Sequence, residues 1–401
     1  MSAVVRHSAG GVPGPHRGSP VVMDGPAHAP ARPPTLDAAV SAGRDHRGQA
    51  ASVPPERRLG RTLLGLVTGL LFTAAALAQA AQAPPRPIKV LIVTMFEPEA
   101  APWIEPFKLT ESVPVPGLLK EHAALRCNTD DVCLLTAGMG HANVAASTMA
   151  VAFDPRLDLR RTWVLIAGIA GIDPARGTLG TAAWARWLVD VGIAHEIDAR
   201  EMPRGWKTGY LGILTKGPGE KPKFDYHTEA FRLDEALLQK ALALSQGVAL
   251  EDSTEARRYR ARYREPAARR PPSVTQCDTL GGDTWWHGHR LGQHARDWTK
   301  LLTDGQGTYC TTQQEDNATY NALARAADAG RVDLKRLAVL RTGSNFDRPY
   351  PGQTAYASLM ASTQGLTGGF VPATKNLVVA GGPLVRDIVA NWAAWQDGVP
   401  K

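Results

Sequence analysis

The chain has 401 residues, 44% of them hydrophobic and 21% charged, with a formal net charge of +7 at pH 7. That balance describes globular material, enough for one large domain or two small ones, and excludes a multi-span membrane protein. It does not mark a nucleic-acid binder: residues 1–83 hold eight arginines, no lysine and four acids, which leaves +3 on residues 84–401. The basic run Arg257 to Arg270 (R-R-Y-R-A-R-Y-R-E-P-A-A-R-R) reads as a solvated insertion or exposed helix, since a binding surface needs charge spread over a face.

In chain order, residues 1–56 are rich in Pro, Gly, Ala and His without apolar periodicity, the composition of a disordered or mis-assigned extension. Arg57-Arg58-Leu59-Gly60-Arg61 then precedes the apolar run Leu63–Phe72 and two A-x-A sites, Ala78-Gln79-Ala80 and Ala81-Gln82-Ala83. Residues 57–83 read as a secretory signal peptide. The apolar part is shorter than the roughly 20 residues that span a bilayer. An uncleaved anchor is the other reading, and the paired arginines permit a twin-arginine signal. The expectation is a periplasmic or secreted protein, without a stable membrane span after processing, folded from residue 84 onward.

From residue 84 the pattern alternates. Ile88–Thr94 is a buried-strand run, and Glu99 to Trp103 starts a helix or turn. Val132–Thr136 is a strand running into Ala137-Gly138-Met139-Gly140-His141, and Asn143–Phe153 has helical spacing. Thr162–Ala167 and Leu179–Val191 are strands. Ala230–Gln246 is an amphipathic helix through Leu233, Leu237, Leu238 and Leu242, inside a weakly patterned polar insertion at 205–273. Asn317–Ala329 is a helix, Leu337–Thr342 a strand, and a last helix runs from about Gly382 to Trp395 after the Gly381-Gly382-Pro383 break. Strands alternating with helices predict a single α/β sandwich around a mostly parallel or mixed sheet.

All four cysteines lie in the exported part, and an even count in an oxidising compartment favours disulfides. Cys127 and Cys133 flank a turn-like Asn128-Thr129-Asp130-Asp131, which suits a hairpin bridge, and Cys277–Cys310 follows by elimination. Buried free thiols are the alternative.

Polar residues collect after strands, where open α/β sheets bind ligands. Glu97 and Glu99 follow the first strand, and Gly138-Met139-Gly140-His141 the second. Gly168-Ile169-Ala170-Gly171 follows the third, where glycines permit close approach of backbone amides to a ligand. Further on come Gly281-Gly282-Asp283-Thr284-Trp285-Trp286-His287-Gly288, Gln313-Gln314-Glu315-Asp316-Asn317 and Ser344-Asn345-Phe346-Asp347. Acids, a histidine, tryptophans and amides together suit a sugar attached to a heteroaromatic base. Trp286-His287-Gly288-His289 is too thin for a metal site, and no cofactor is indicated.

The order of M-F-E-P-E, A-G-M-G-H-A-N, A-G-I-A-G-I-D-P, G-G-D-T-W-W-H-G, Q-Q-E-D-N-A-T-Y and R-T-G-S-N-F-D over residues 87–397 resembles the purine nucleoside permease (NUP) family. That family shares the nucleoside phosphorylase fold with the methylthioadenosine/adenosylhomocysteine nucleosidases. The resemblance implies a three-layer sandwich with a central mixed sheet and a purine nucleoside as partner. It implies Glu99 as general acid/base, with Glu97 beside it. Glu315 would hold ribose hydroxyls, and Trp285 or Trp286 would stack on the base. Gly168 and Ala170 would floor the pocket, and His141 would face the sugar or serve as a structural histidine.

Two departures bear on chemistry. Asn345 stands where the nucleosidases use an aspartate that protonates purine N7, and an amide cannot supply that proton; Asp347 substitutes for it or caps a turn. The third strand end, Ile166-Ala167-Gly168-Ile169, carries neither the Arg nor the Ser with which phosphorylases of this fold bind phosphate; Arg176 in the next turn is the one nearby candidate. Hydrolysis of the N-glycosidic bond therefore ranks above phosphorolysis, with non-catalytic nucleoside binding for uptake as the alternative. The oligomeric state is open.

Overall fold

The computed structural model of the protein describes residues 84–401, so the extension and signal peptide read above lie outside the described residues. Twelve strands form one mixed sheet: β1 (Val90–Thr94), β2 (Glu111–Pro114), β3 (Ala124–Cys127), β4 (Val132–Thr136), β5 (Trp163–Ile172), β6 (Ala182–Trp184), β7 (Trp187–Asp190), β8 (Ala230–Arg232), β9 (Val274–Gln276), β10 (Asp278–Gly281), β11 (Tyr309–Gln313) and β12 (Leu337–Phe346). The main path runs β8-β7-β10-β11-β5-β1-β4-β3-β2, while β12 lies beside β5 and β6, and β9 beside β6.

The central strands β1, β4 and β5 are parallel, buried along their length and mostly apolar because both faces are covered. Alternation sends Leu91, Val93, Val164 and Ile166 to one face and Val90, Ile92, Leu165 and Ala167 to the other. Eight helices matter for the argument: α1 (Glu97–Ile104), α2 (His141–Ala152), α3 (Glu235–Ser245), α4 (Thr254–Arg260), α5 (His289–Leu302), α6 (Asp316–Asp328), α7 (Ala355–Thr363) and α8 (Phe370–Ala390). Val144 and Val151 of α2 and Leu323 of α6 cover the first face. Trp103 of α1, Leu237 of α3 and Leu377 of α8 cover the second. The architecture is a three-layer α/β sandwich on a mixed sheet.

Four expectations need adjustment. Leu179–Val191 is two strands, broken where the Arg186 and Trp187 amides turn to donate to Asp278 Oδ1 at 3.0 and 2.9 Å. Ala230–Gln246 opens as strand β8; its helix begins only after Asp234, whose carboxylate accepts the Leu237 amide at 2.9 Å as an N-cap. The 205–273 segment is thus built into the sheet and core through β8 and α3, not merely a polar insertion.

The last helix does not start at Gly381-Gly382-Pro383 but runs through it. An internal proline costs about 3 kcal/mol. Leu377, Leu384, Val385 and Ile388 are each at most 2% exposed, and such side chains each contribute about 1.5–3 kcal/mol on burial, so packing wins. Gly381 has its own role: a Cβ there would come within 2.8 Å of Trp103.

The basic run falls on α4, the turn after it and the short helix Pro266–Arg269, with Tyr259 and Tyr263 inward and Arg260 paired with Asp252 at 2.6 Å. Cys127 is bonded to Cys133 across the β3–β4 hairpin, and Cys277 to Cys310 of β11. No described helix is long and apolar enough to cross a membrane.

Candidate active site

The ends of β1, β5, β11 and β12 open into a cavity of about 430 Å³. Its floor carries Glu99, Glu315, Arg341 and Asn345; Phe96, Met139, Trp285 and Phe370 form an apolar wall.

Glu99 reaches the floor because α1 starts immediately after β1. Its carboxylate is pinned by two backbone amides, Met95 N to Oε2 at 2.8 Å and Ile169 N to Oε1 at 2.7 Å. The side chain is 2% exposed. Burial pushes its pKa up to about 7; Arg341 pulls it down, Glu315 pushes it up, and the two amides lower it. A carboxyl poised near neutrality can take and return a proton at pH 7. Glu97 does not join it. Two positions apart on a helix point some 200° apart, and Glu97 is exposed on a separate groove with Ile104 and Arg126.

Arg341 organises the floor. It is 1% exposed on β12, opposite Gly168 in register. Nε and Nη2 donate to Asp316, at 2.6 Å for the shortest bond, Nη2 also donates to Glu315 Oε2 at 3.1 Å, and Nη1 donates to the Ile169 carbonyl at 3.0 Å. Burial alone would lower its pKa, but Asp316 and Glu315 outweigh it and hold the charge firmly. Glu315 is further fixed by the Gly140 amide at 3.3 Å and the Gln314 amide at 3.1 Å. Gly140 ends a turn with φ +85°, and Gly138 has φ +91°, which accounts for both glycines of A-G-M-G-H.

Gly168 lines no part of the cavity. A Cβ at 168 would collide with Arg341 Nη1 and come within 3.0 Å of Glu99 Oε1, so the glycine serves the guanidinium and the carboxyl. Ala170 does line the cavity.

Asn345 also lines the cavity, with its amide already engaged: Oδ1 accepts from Ser344 Oγ at 3.0 Å and Nδ2 donates to the Phe346 carbonyl at 3.1 Å. Trp285 and Trp286 split, as neighbours in extended chain must. Trp285 is 49% exposed on the cavity wall; Trp286 is buried with Trp298 and Tyr309 and faces another cavity.

Asp347 lies outside the cavity. It is buried in an ion-pair cluster, taking the Tyr309 hydroxyl at 2.7 Å and Arg348 Nε at 2.7 Å, while Arg348 also meets Asp173 at 2.8 Å. His141 also turns away: its amide donates to Asp283 Oδ1 at 2.7 Å and its Nδ1 lies 3.8 Å from Asp190 Oδ2.

Arg341 and Asp316 lie within R-T-G-S-N-F-D and Q-Q-E-D-N-A-T-Y, and neither motif by itself implied a role for them. The signal was present: a lone arginine inside the apolar strand L-A-V-L-R-T-G is tolerated only with buried carboxylates to meet it. The run Ile166–Ile169 carries no arginine of its own, so a guanidinium is expected to be missing there, yet one is present. It is supplied by the neighbouring strand, but its bonds go to Asp316, Glu315 and a carbonyl. Arg176 is exposed and lines no part of this cavity. Among the described residues no group of three or more His, Cys, Asp or Glu is arranged to hold a metal ion.

Residues 87–400 match the family model described as purine nucleoside permease (NUP). A probable purine nucleoside permease of Schizosaccharomyces pombe is 39% identical over 320 residues, covering 77% of this chain and 90% of that protein. A purine nucleoside permease of Candida albicans is 35% identical over 309 residues, covering 76% of this chain and 75% of its own length. Among solved structures, a 5′-methylthioadenosine/S-adenosylhomocysteine nucleosidase of Helicobacter pylori aligns at TM-score 0.43 and 14% identity, covering 73% of this chain and 97% of that one. The corresponding nucleosidase of Streptococcus pneumoniae aligns at 0.43 and 14%, covering 74% and 99%.

Proposed function

The chain belongs to the purine nucleoside permease (NUP) family, and from that premise we propose that it binds a purine nucleoside in the Glu99 cavity and hydrolyses its N-glycosidic bond. The observation that carries the reading is Glu99: a buried carboxyl at the floor of a nucleoside-sized cavity, fixed by two amides and held at about 7. As a carboxylate it accepts a proton from water as the water oxygen bonds to the anomeric carbon. The bond from that carbon to the base nitrogen breaks, its electron pair leaves with the base, and the base takes up a proton from solvent while Glu99 holds the one it took from water. Glu315, whose Oε1 keeps a lone pair beyond its bond from the Gly140 amide, accepts a ribose hydroxyl. Trp285 offers ring surface to the base.

Charge favours water over phosphate as the nucleophile. Arg341 offsets only one of the three carboxylates around it, Glu99, Glu315 and Asp316, so the floor is net negative when Glu99 is ionised. A phosphate anion would meet that negative floor around a guanidinium already bonded to Glu315, Asp316 and the Ile169 carbonyl.

A second reading, binding for uptake without chemistry, is favoured by Asn345: the base end of the cavity offers an engaged amide where an acid would drive departure of the base. Export through a signal peptide at 57–83 belongs to the same proposal, and N-terminal sequencing of the secreted protein tests it. For the chemistry, inosine, guanosine and adenosine are incubated with the protein in phosphate-free and phosphate buffers, and free base is assayed. Hydrolysis gives release in both. Release only with phosphate overturns the nucleophile assignment, and tight binding without release supports the uptake reading.

A further inference from the structure

Beside the Glu99 cavity lies a second one of about 140 Å³, with Thr284 on the wall of both. We infer that this chamber is a binding site for a small organic ammonium ion, distinct from the nucleoside site.

Three rings line it: Tyr210, Trp286 and His294. Tyr210 stacks on His294 with centroids 4.8 Å apart and 17° between planes. The charged residues on the wall are Glu196 and Asp283; neither lysine nor arginine lines it. Walls of stacked and single aromatic rings with carboxylates and no opposing cation suit the recognition chemistry of quaternary and other organic ammonium ions.

The size agrees. An engineered apolar cavity of roughly 150 Å³ holds a benzene-sized guest, so this one takes a molecule of a few heavy atoms rather than a nucleoside. One polar atom asks for a partner: His294 is 8% exposed, and its buried Nε2 has no hydrogen-bond partner among the described residues. Burial holds this imidazole down at about 4, so it is neutral at pH 7, does not repel a cation, and can accept from a hydroxyl or N–H on the guest. Tyr210 and Glu196 belong to the two-stranded ribbon His195–Glu196 and Tyr210–Leu211, which is separate from the main sheet.

The test uses choline chloride, tetramethylammonium chloride and 3,3-dimethyl-1-butanol, the uncharged analogue of choline, titrated into the full chain by calorimetry at constant ionic strength. Choline is expected to saturate, about tenfold or more tighter than the uncharged analogue, with tetramethylammonium between them. Glu196→Gln, at an exposed position, is expected to weaken choline about tenfold and to leave inosine affinity unchanged. Equal affinity for choline and the alcohol, no saturation at concentrations on the order of tens of millimolar, or displacement of inosine by choline would each overturn the inference.

Discussion

Arg341 and Gly168 stand opposite each other on adjacent parallel strands, and the guanidinium occupies the space that any side chain at 168 would need. The floor of the cavity follows from that pair. The arginine reaches across the glycine to within bonding distance of the Ile169 carbonyl, and Glu99 and Glu315 arrange themselves about it.

Gly168→Ala should therefore act on both stability and the site. Its methyl group enters the guanidinium, an overpacking that costs about 1–3 kcal/mol, and it moves Glu99 Oε1 as well. Urea unfolding and nucleoside turnover check this. A variant with the parent midpoint and turnover would show that the guanidinium yields without consequence.

Arg341→Met leaves Asp316 and Glu315 buried without their cation, a loss of about 3–5 kcal/mol. The double variant Arg341→Met/Asp316→Leu should recover part of it, because an apolar pair of similar shape replaces a broken ion pair. Additive losses in denaturation would mean the two side chains are not energetically coupled.

These residues also mark how far the sequence could be read. The central strands were legible because an apolar run such as V-L-I-V-T has one stable fate in an α/β protein, a strand covered on both faces. Glu99 was implied by the resemblance of M-F-E-P-E, because a position just after a strand does not by itself separate it from Glu97, which lies on another groove. The Arg341 network was not, because parallel neighbours β5 and β12 are 173 positions apart at the Gly168–Arg341 pair and only register brings them together. Asp347 and His141 carry chemistry-bearing side chains at strand and helix ends, but the Asp347–Arg348 ion pair and the approach of His141 to Asp190 turn both away from the cavity. The helix through Gly381-Gly382-Pro383 hid for a different reason: local breakers were overruled by burial that the sequence window does not display.

Turnover should follow Glu99's ionisation. With its pKa raised by burial to about 7, kcat/KM for nucleoside cleavage should rise about tenfold per pH unit below that value and level off above it. A pH–rate profile checks this; a plateau extending down to about pH 5 would remove Glu99 as the base.

The same shift has a stability consequence of definite sign. Glu99 binds its proton more tightly folded, at about 7, than at its ordinary 4.5. The resulting stabilisation is complete below pH 4.5 and is lost as pH rises through 7, by at most about 3 kcal/mol. Urea unfolding of the parent and Glu99→Gln at each end of that window isolates it. The stability difference, parent minus variant, should shrink on going to alkaline pH, and a constant difference would contradict the shift.

The two adjacent tryptophans should separate cleanly. Trp285→Ala, at a half-exposed wall position, should raise KM with little change in the unfolding midpoint. Trp286→Ala, in the core with Trp298 and Tyr309, should cost about 3–5 kcal/mol. Equal effects on stability would place both side chains in the core.

The most direct test of the account is single-turnover cleavage of inosine by the parent and by Glu99→Gln in phosphate-free buffer at pH 7, with nucleoside binding measured on both proteins. The account predicts that the variant still binds inosine and releases hypoxanthine at least about a hundredfold more slowly. Equal release by the two proteins, or binding without release by the parent, would contradict it.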